Sequence, residues 1–435
     1  LKSQGFFYLR PMTLTALHKL FLEHPKICTD TRKIEKGCLF FALKGPNFNG
    51  NAFASNAIEK GAVHAVIDEK EFHVEGKTIL VENALETLQK LSIYHRNYSN
   101  AKVISLTGSN GKTTTKELIH AVLSKKYKTI ATKGNLNNHI GVPLTLLSIQ
   151  PDTEMAIVEM GANHQGEIAF LSGISQPDYG YITNFGKAHL EGFGGVEGVI
   201  KGKSELYNYL LANDRYVFMN ADDPIQRQKL ASYTKKIGFS THDPQYYIIR
   251  PIMTNPFLEV AFDDLQVKTQ LIGEYNFTNC AIAITMGKYF NVPVEDIKKA
   301  IEAYRPQNNR SEVIEKNGHR IILDAYNANP TSMMAALNSF KAIEGENKVL
   351  FLGDMFELGD AAHEEHQKIS EAIGNLGFET AYLIGDNFGK TENGYPKFES
   401  FDEIRDYLTK HPLPPSTILI KGSRGMALER LLEIL

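Results

Sequence analysis

The sequence predicts an α/β protein of three domains: a small N-terminal α/β domain, a central parallel-sheet domain and a C-terminal doubly wound, Rossmann-like domain. Three observations carry this. Short apolar, β-branched runs alternate with helical periodicity along the second and third regions of the chain. A glycine-rich stretch, VISLTGSNGKTTT (Val103 to Thr115), joins a strand pattern directly to a helix pattern. Breaks near residue 99 and at Pro306 to Asn309 interrupt the alternation and place domains at 1–98, 99–310 and 311–435. At 435 residues the chain is in any case too long for one core.

The first methionine, Met12, stands immediately before a helix marked by Leu14, Leu17, Leu20 and Phe21. Residues 1–11 are expected to be an extension, a cloning remnant or the product of a non-Met start codon. A strand over Cys38 to Leu43, a Gly/Asn-rich loop, a helix over Ala52 to Lys60, the strand AVHAVID and a helix over Glu86 to Tyr98 complete the first region. In the second, strand 102–107, the glycine turn and helix 113–124 are followed by strands near 154–160 and 179–185. Tyr246 to Ile272 reads as added antiparallel strands before a helix from Asn276 to Phe290 and another from Val294 to Tyr304. The third alternates strands at Arg320, Val349, Ala381 and Thr417 with helices from Thr331, His363, Phe401 and Met426. In such sheets ligands bind at the carboxyl ends of strands. The glycine turn, Glu159 at the end of AIVEM, and Asn184 to His189 all follow strands.

Composition excludes several classes. Lys+Arg 47 against Asp+Glu 50 gives a net charge of -3, so there is no basic field for nucleic acid or an anionic membrane surface. No apolar run is long enough to span a bilayer, and no signal-peptide pattern opens the chain, which predicts a cytoplasmic protein. Cys28, Cys38 and Cys280 lack metal-ligand spacing and read as buried thiols in a reducing compartment.

Gly108 and Gly111 let backbone N–H groups turn toward an anion, the following helix points its positive end there, and Lys112 adds a full charge. This is a P-loop ATPase-like cradle, with Thr113 placed to ligate Mg²⁺. The spacing is a variant, because Leu106 stands where the general pattern has its first glycine, and an ordinary strand-to-helix turn is the alternative. Glu159 reads either as a hard ligand for Mg²⁺ or as a capping or surface acid. His189, among four glycines, is a functional loop histidine or simply an exposed one. Lys201 and Lys203 read as a solvated pair, Asn276 as a helix N-cap, and KGSRG (Lys421 to Gly425) as an anion-binding or merely charged turn.

Taken together, TGSNGKTTT, KGNLNNHIGVP, EMGAN, NFGKAHLEGFGG, KSEL, Asn276 with Asn279, Arg310 and DAYNANPTS resemble the Mur ligase family, ATP-dependent amide-forming enzymes of peptidoglycan synthesis. The resemblance covers all three regions and includes the variant loop spacing. DAYNANPTS, LGDMFELG followed by His366, and KGSRGMALE resemble the branch that adds D-alanyl-D-alanine to UDP-N-acetylmuramoyl-tripeptide. The first domain would then bind that substrate through Asp30, Thr31 and Arg32, the second would be the ATP-binding ligase domain, and the third would close on ATP.

The resemblance implies ATP on Gly108, Ser109, Asn110, Gly111, Lys112, Thr113 and Thr114, with Asn276 and Asn279 at adenine and Arg310, Asp324 and Asn327 at ribose and phosphates. It implies two Mg²⁺ ions, held by Thr113, Glu159, His189 and a CO₂-derived carbamate on Lys203, which Ser-Glu-Leu follows as in the family. Lys112, Glu159, His189 and Lys203 would form the catalytic set, with Lys421, Ser423 and Arg424 on the D-alanyl-D-alanine side. A monomer acting on small molecules is expected. Two positions depart from the family: Tyr275 stands where many members have histidine, and Asn49-Gly50-Asn51 replaces an acidic-glycine-histidine pattern. The alternatives are a sister Mur ligase or folylpolyglutamate-type synthetase with another amine, a P-loop NTPase that is not a ligase, and an inactive nucleotide-binding scaffold.

Overall fold

A computed structural model describes residues 12–253 and 255–435; the expectation about residues 1–11 lies outside them. The chain forms two compact units. One holds the chain up to Val103 with Lys128–Met160 and Leu171–Pro177, and the other holds Ile104–Tyr127, Gly161–Phe170 and Asp178–Leu435.

In the first unit, strands Ile27–Cys28, Leu39–Phe41, His64–Ile67 and Thr78–Leu80 make a parallel sheet in that order. Side chains alternate across it. Leu39 and Phe41 join Leu17, Phe21, Leu88 and Leu91 from helices Leu14–Glu23 and Ala84–Tyr98. Phe40 points to the other face, with Cys28, Cys38, Ala54 and Ala57. Each fully buried Leu or Phe contributes about 1.5–3 kcal/mol. Thr13 and Asn83 start the two helices by accepting from the N–H groups of Ala16 and Glu86. The expected helix over Ala52 to Lys60 is shorter, Ala54–Glu59, because Gly50–Phe53 forms a 3₁₀ turn begun by the Asn49 side chain. Strands Thr129–Ala131 and Met155–Glu159 of this unit pair in parallel.

In the second unit, which takes up strand Lys102–Thr107 from Ile104 onward, that strand is followed across the sheet by Tyr179–Ile182, Tyr216–Asn220, Lys236–Ser240 and Tyr247–Met253, all parallel. Phe257–Phe262 and Leu265–Ile272 then add antiparallel strands, so the central sheet is mixed. Two of its strands, Tyr216–Asn220 and Lys236–Ser240, are absent from the sequence reading. Helix Phe277–Tyr289 is apolar on nearly every side and buried; it packs on helix Lys112–Leu123. Parallel strands bring their carboxyl ends to one edge, where the loops after Thr107 and Ile182 meet.

The C-terminal sheet has the order Glu312–Lys316, His319–Asp324, Thr417–Lys421, Lys348–Gly353, Thr380–Ile384, Lys397–Phe398. All are parallel except the first, a hairpin partner of His319–Asp324. The helix expected from Met426 to Leu435 is instead two 3₁₀ segments, Arg424–Met426 and Leu428–Glu433. Ala427 between them sits at φ 48°, which an α-helix cannot accommodate. Leu428 and Leu431, both buried and three apart, satisfy a 3₁₀ repeat as well as an α-helical one.

Candidate active site

The glycine turn has two positions where only glycine fits. Gly108 has φ +145°, and a Cβ there would lie 1.9 Å from Thr183 Oγ1. Gly111 has φ +78°, and its Cβ would lie 2.6 Å from Asn279 Oδ1. Helix Lys112–Leu123 therefore starts directly out of the turn, with Thr113, Thr114 and Thr115 buried. Lys112 Nζ donates to the carbonyls of Gly108 at 2.8 Å and Ser109 at 3.3 Å, so the ammonium lies over the loop. Ser109 Oγ donates to Gly186 O at 2.7 Å.

A second strand end fixes the loop tip. The Asn110 N–H donates to Asn184 Oδ1 at 3.0 Å, and its carbonyl accepts from Thr183 Oγ1 at 2.6 Å and Asn184 Nδ2 at 3.1 Å. Below the loop, Thr115 Oγ1 donates to Asn279 Oδ1 at 2.9 Å, Asn279 Nδ2 to Asn276 Oδ1 at 2.9 Å, and Asn276 Nδ2 to Ile272 O at 2.8 Å. Asn276 stands at the N-cap position of helix Phe277–Tyr289, but its side chain makes no capping bond and serves the chain leading to the loop.

Helix Val196–Ala212 separates the two lysines of KGKS. Lys201 is exposed, but Lys203 is fully buried and is no member of a solvated pair. Its Nζ donates to Ala162 O at 3.1 Å and lies 4.8 Å from the centre of the Phe193 ring. Burial, and then the positive charge of Lys112, hold its pKa well below the ordinary lysine value. His189, at φ 54°, is largely covered, and its Nδ1 pairs with the Glu357 carboxylate of the C-terminal sheet region.

On the C-terminal side, Asp324 accepts from the Ser311 N–H at 3.1 Å and pairs with buried Lys421 at 2.5 Å; Lys421 also reaches Asn327 O at 3.3 Å. The Arg310 guanidinium stacks 3.6 Å from the Tyr326 ring centre, and its buried Nε has no hydrogen-bond partner among the described residues. Asn327 is exposed. Ser423 Oγ accepts from the Phe356 N–H at 2.9 Å, and Arg424 pairs with Glu429 at 2.9 Å. Lys421 is therefore committed to Asp324, and Arg424 is the more exposed cation of KGSRG.

The remaining expected residues belong to the other compact unit. Glu159 is 1% exposed, so it is no surface acid; its Oε1 accepts from Asn137 Nδ2 at 2.8 Å. Asp30 begins the 3₁₀ turn Thr31–Lys33 and accepts from Arg32 Nη2 at 2.8 Å, and the guanidinium holds its carboxyl down at about 2. Asn51, at the departure from the family pattern, is buried and joined to Asp68 by bonds of 2.8 and 2.9 Å.

The chain matches the Mur ligase family, catalytic domain over residues 26–102, the Mur ligase middle domain over 106–287 and the Mur ligase, glutamate ligase domain over 309–431. It is 35% identical to the UDP-N-acetylmuramoyl-tripeptide–D-alanyl-D-alanine ligase of Bacillus subtilis, over 94% of this chain and 92% of that one. The chain belongs to the Mur ligase family. Among solved structures it is similar to MurF from Acinetobacter baumannii (TM-score 0.85, 30% identity, 98% of each chain). It is also similar to the MurF ligase from Thermotoga maritima in complex with ADP (TM-score 0.83, 26% identity, 95% of this chain and 97% of that one). The three-domain α/β fold is that of a Mur ligase.

In this Mur ligase the Tyr275 hydroxyl meets Ser311 Oγ at 2.7 Å, tying it to the Asp324 network. Asn137, Thr183, Asn184, Asn329 and Glu357 are contributors that the sequence reading did not assign. Asn329 carried a signal, the N-P-T-S pattern of a helix start, and Glu357 lies within the LGDMFELG motif but was given no role there. The donor types assigned to Mg²⁺, a threonine hydroxyl, a carboxylate, an imidazole and a carbamate, suit a hard divalent cation. Among the described residues no three His, Cys, Asp or Glu side chains cluster as a metal site.

Proposed function

We infer that this Mur ligase joins D-alanyl-D-alanine to UDP-N-acetylmuramoyl-tripeptide at the expense of ATP, completing a peptidoglycan precursor. The observation that carries the reading is the full-length likeness to enzymes of that activity, which spans all three matched segments. Two steps follow. The tripeptide's terminal carboxylate takes the γ-phosphoryl group of ATP to give an acyl phosphate and ADP. The amine of D-alanyl-D-alanine then attacks the acyl carbon, inorganic phosphate leaves, and the amine proton goes to solvent or a nearby base.

Residues 108–114 hold the phosphates, and Lys112 offsets charge that builds on the transferred oxygens. Mg²⁺, held by Thr113 and Glu159 and by Glu159, His189 and carbamylated Lys203, would supply further charge neutralisation. A neutral amine is what adds to CO₂, and burial favours that form at Lys203. Asn276 and Asn279 stand on the adenine side, acting through the bonds that lead to Thr115 and the loop. Arg310, with its unpartnered Nε, together with Asp324 and Asn327 serves ribose and phosphates. Asp30, Thr31 and Arg32 bind the uridine diphosphate, and Lys421, Ser423 and Arg424 stand on the D-alanyl-D-alanine side. Closure of the C-terminal domain excludes water and protects the acyl phosphate. We place the domains at 1–98, 99–310 and 311–435 and take the protein to be a cytoplasmic monomer.

ADP release tests the reading, measured with UDP-N-acetylmuramoyl-tripeptide and D-alanyl-D-alanine added singly and together. Sustained turnover is expected only with both. Turnover that needs neither would make the protein an NTPase instead.

A further inference from the structure

Resting on the ATP-dependent reading, we propose that Asn329 is a positioning residue for the ATP loop: its side-chain amide holds Asn110, so the loop's phosphate-binding form depends on docking of helix Pro330–Ala342.

Asn329 is fixed before it meets the loop. Its extended backbone, φ −146° and ψ 167°, precedes Pro330, and its Oδ1 accepts from the Ser332 N–H at 2.9 Å. Its own N–H donates to Ser332 Oγ at 3.1 Å, closing a capping box. Since Oδ1 must face a backbone donor, the other side-chain atom is the NH₂ group, and it donates to Asn110 Oδ1 at 2.7 Å. A longer return bond, 3.4 Å, runs from Asn110 Nδ2 to Asn329 Oδ1. The pair is well covered, with Asn329 only 8% exposed, so it does not compete freely with water.

Asn110 is held on its backbone from within the central sheet, by Thr183 and Asn184, and on its side chain from the C-terminal helix. A neighbouring contact has the same origin: the Lys187 N–H donates to Thr331 Oγ1 at 2.9 Å. Between them Gly186 allows close packing, since a Cβ there would lie 3.0 Å from Asn110 Nδ2 and 3.2 Å from Thr331 Oγ1. Asparagine suits position 329 because it supplies a cap acceptor and a donor at once. Aspartate would keep the cap but set an oxygen against Asn110 Oδ1. By linkage, a loop form favoured by the docked helix binds ATP more tightly, and ATP in turn favours docking.

The substitution Asn329→Asp separates the two roles. Binding of a non-hydrolysable ATP analogue with Mg²⁺ is measured by calorimetry on the full chain, beside the thermal midpoint. We expect the midpoint to hold and Kd to rise about tenfold, within the usual range of coupling between sites. Asn110→Ala should weaken binding as well, and adding Asn329→Asp to it should cost nothing further. Wild-type affinity in Asn329→Asp, or fully multiplicative losses in the double variant, would overturn the proposal. A wild-type chain that binds no analogue would overturn the ATP-dependent reading beneath it.

Discussion

Replacing Lys203 by methionine should stabilise the protein while abolishing its activity, and the gain should shrink as pH rises. The amine is fully buried, with one carbonyl partner at 3.1 Å, and its pKa lies well below the ordinary 10.5. Between the folded pKa and 10.5 the unfolded chain binds a proton at this site that the folded chain does not. Wild-type stability from this group therefore rises with pH through that window, by about 1.4 kcal/mol per unit. Methionine has no such dependence. The advantage of Lys203→Met over wild type should therefore fall steadily as pH rises toward 10.5. The assay is urea unfolding of both full-length chains in CO₂-free buffer at several pH values. A difference independent of pH would mean that Lys203 stays charged when folded, leaving no neutral amine for carbamate formation.

Three further outcomes are expected. Lys203→Ala should lose ligase activity and regain part of it with added short carboxylates; a fully active variant would refute the carbamate role. Gly111→Ala forces alanine to φ +78° and sets its Cβ 2.6 Å from Asn279 Oδ1, at the bond to Thr115. Strain and the lost bond cost about 1 kcal/mol each, so ATP-analogue Kd should rise at least tenfold by calorimetry, and an unchanged Kd would dissociate the loop from ATP. Asp324→Ala leaves the buried Lys421 charge unpaired and should destabilise the protein by about 3 kcal/mol in urea unfolding. Adding Lys421→Met should recover most of that loss.

The loop at 108–115 was legible because its chemistry is local: glycines, a lysine and a helix start lie within a few residues. The strand-helix alternation of the C-terminal region was legible for the same reason. Strand Lys236–Ser240, KIGFS, escaped because a lysine, a glycine and a serine break its apolar run, its pairing being decided by neighbours in the sheet, whereas Tyr216–Asn220, YVFMN, carried an apolar run that was there to be found. Lys203 shows the limit most clearly. Lys201 and Lys203 look alike in composition, yet their places on one helix leave the first in water and bury the second. The pairs His189–Glu357 and Asn110–Asn329 join residues far apart in sequence, and although each residue lies in a recognisable motif, no local pattern says which of them meet.

The central claim is most directly tested by the mass of the product formed from UDP-N-acetylmuramoyl-tripeptide, D-alanyl-D-alanine, ATP and Mg²⁺. We predict one new species, heavier than the tripeptide substrate by D-alanyl-D-alanine less one water, appearing in step with ADP. ADP released with the tripeptide substrate unchanged, or a product carrying a single amino acid, would contradict it.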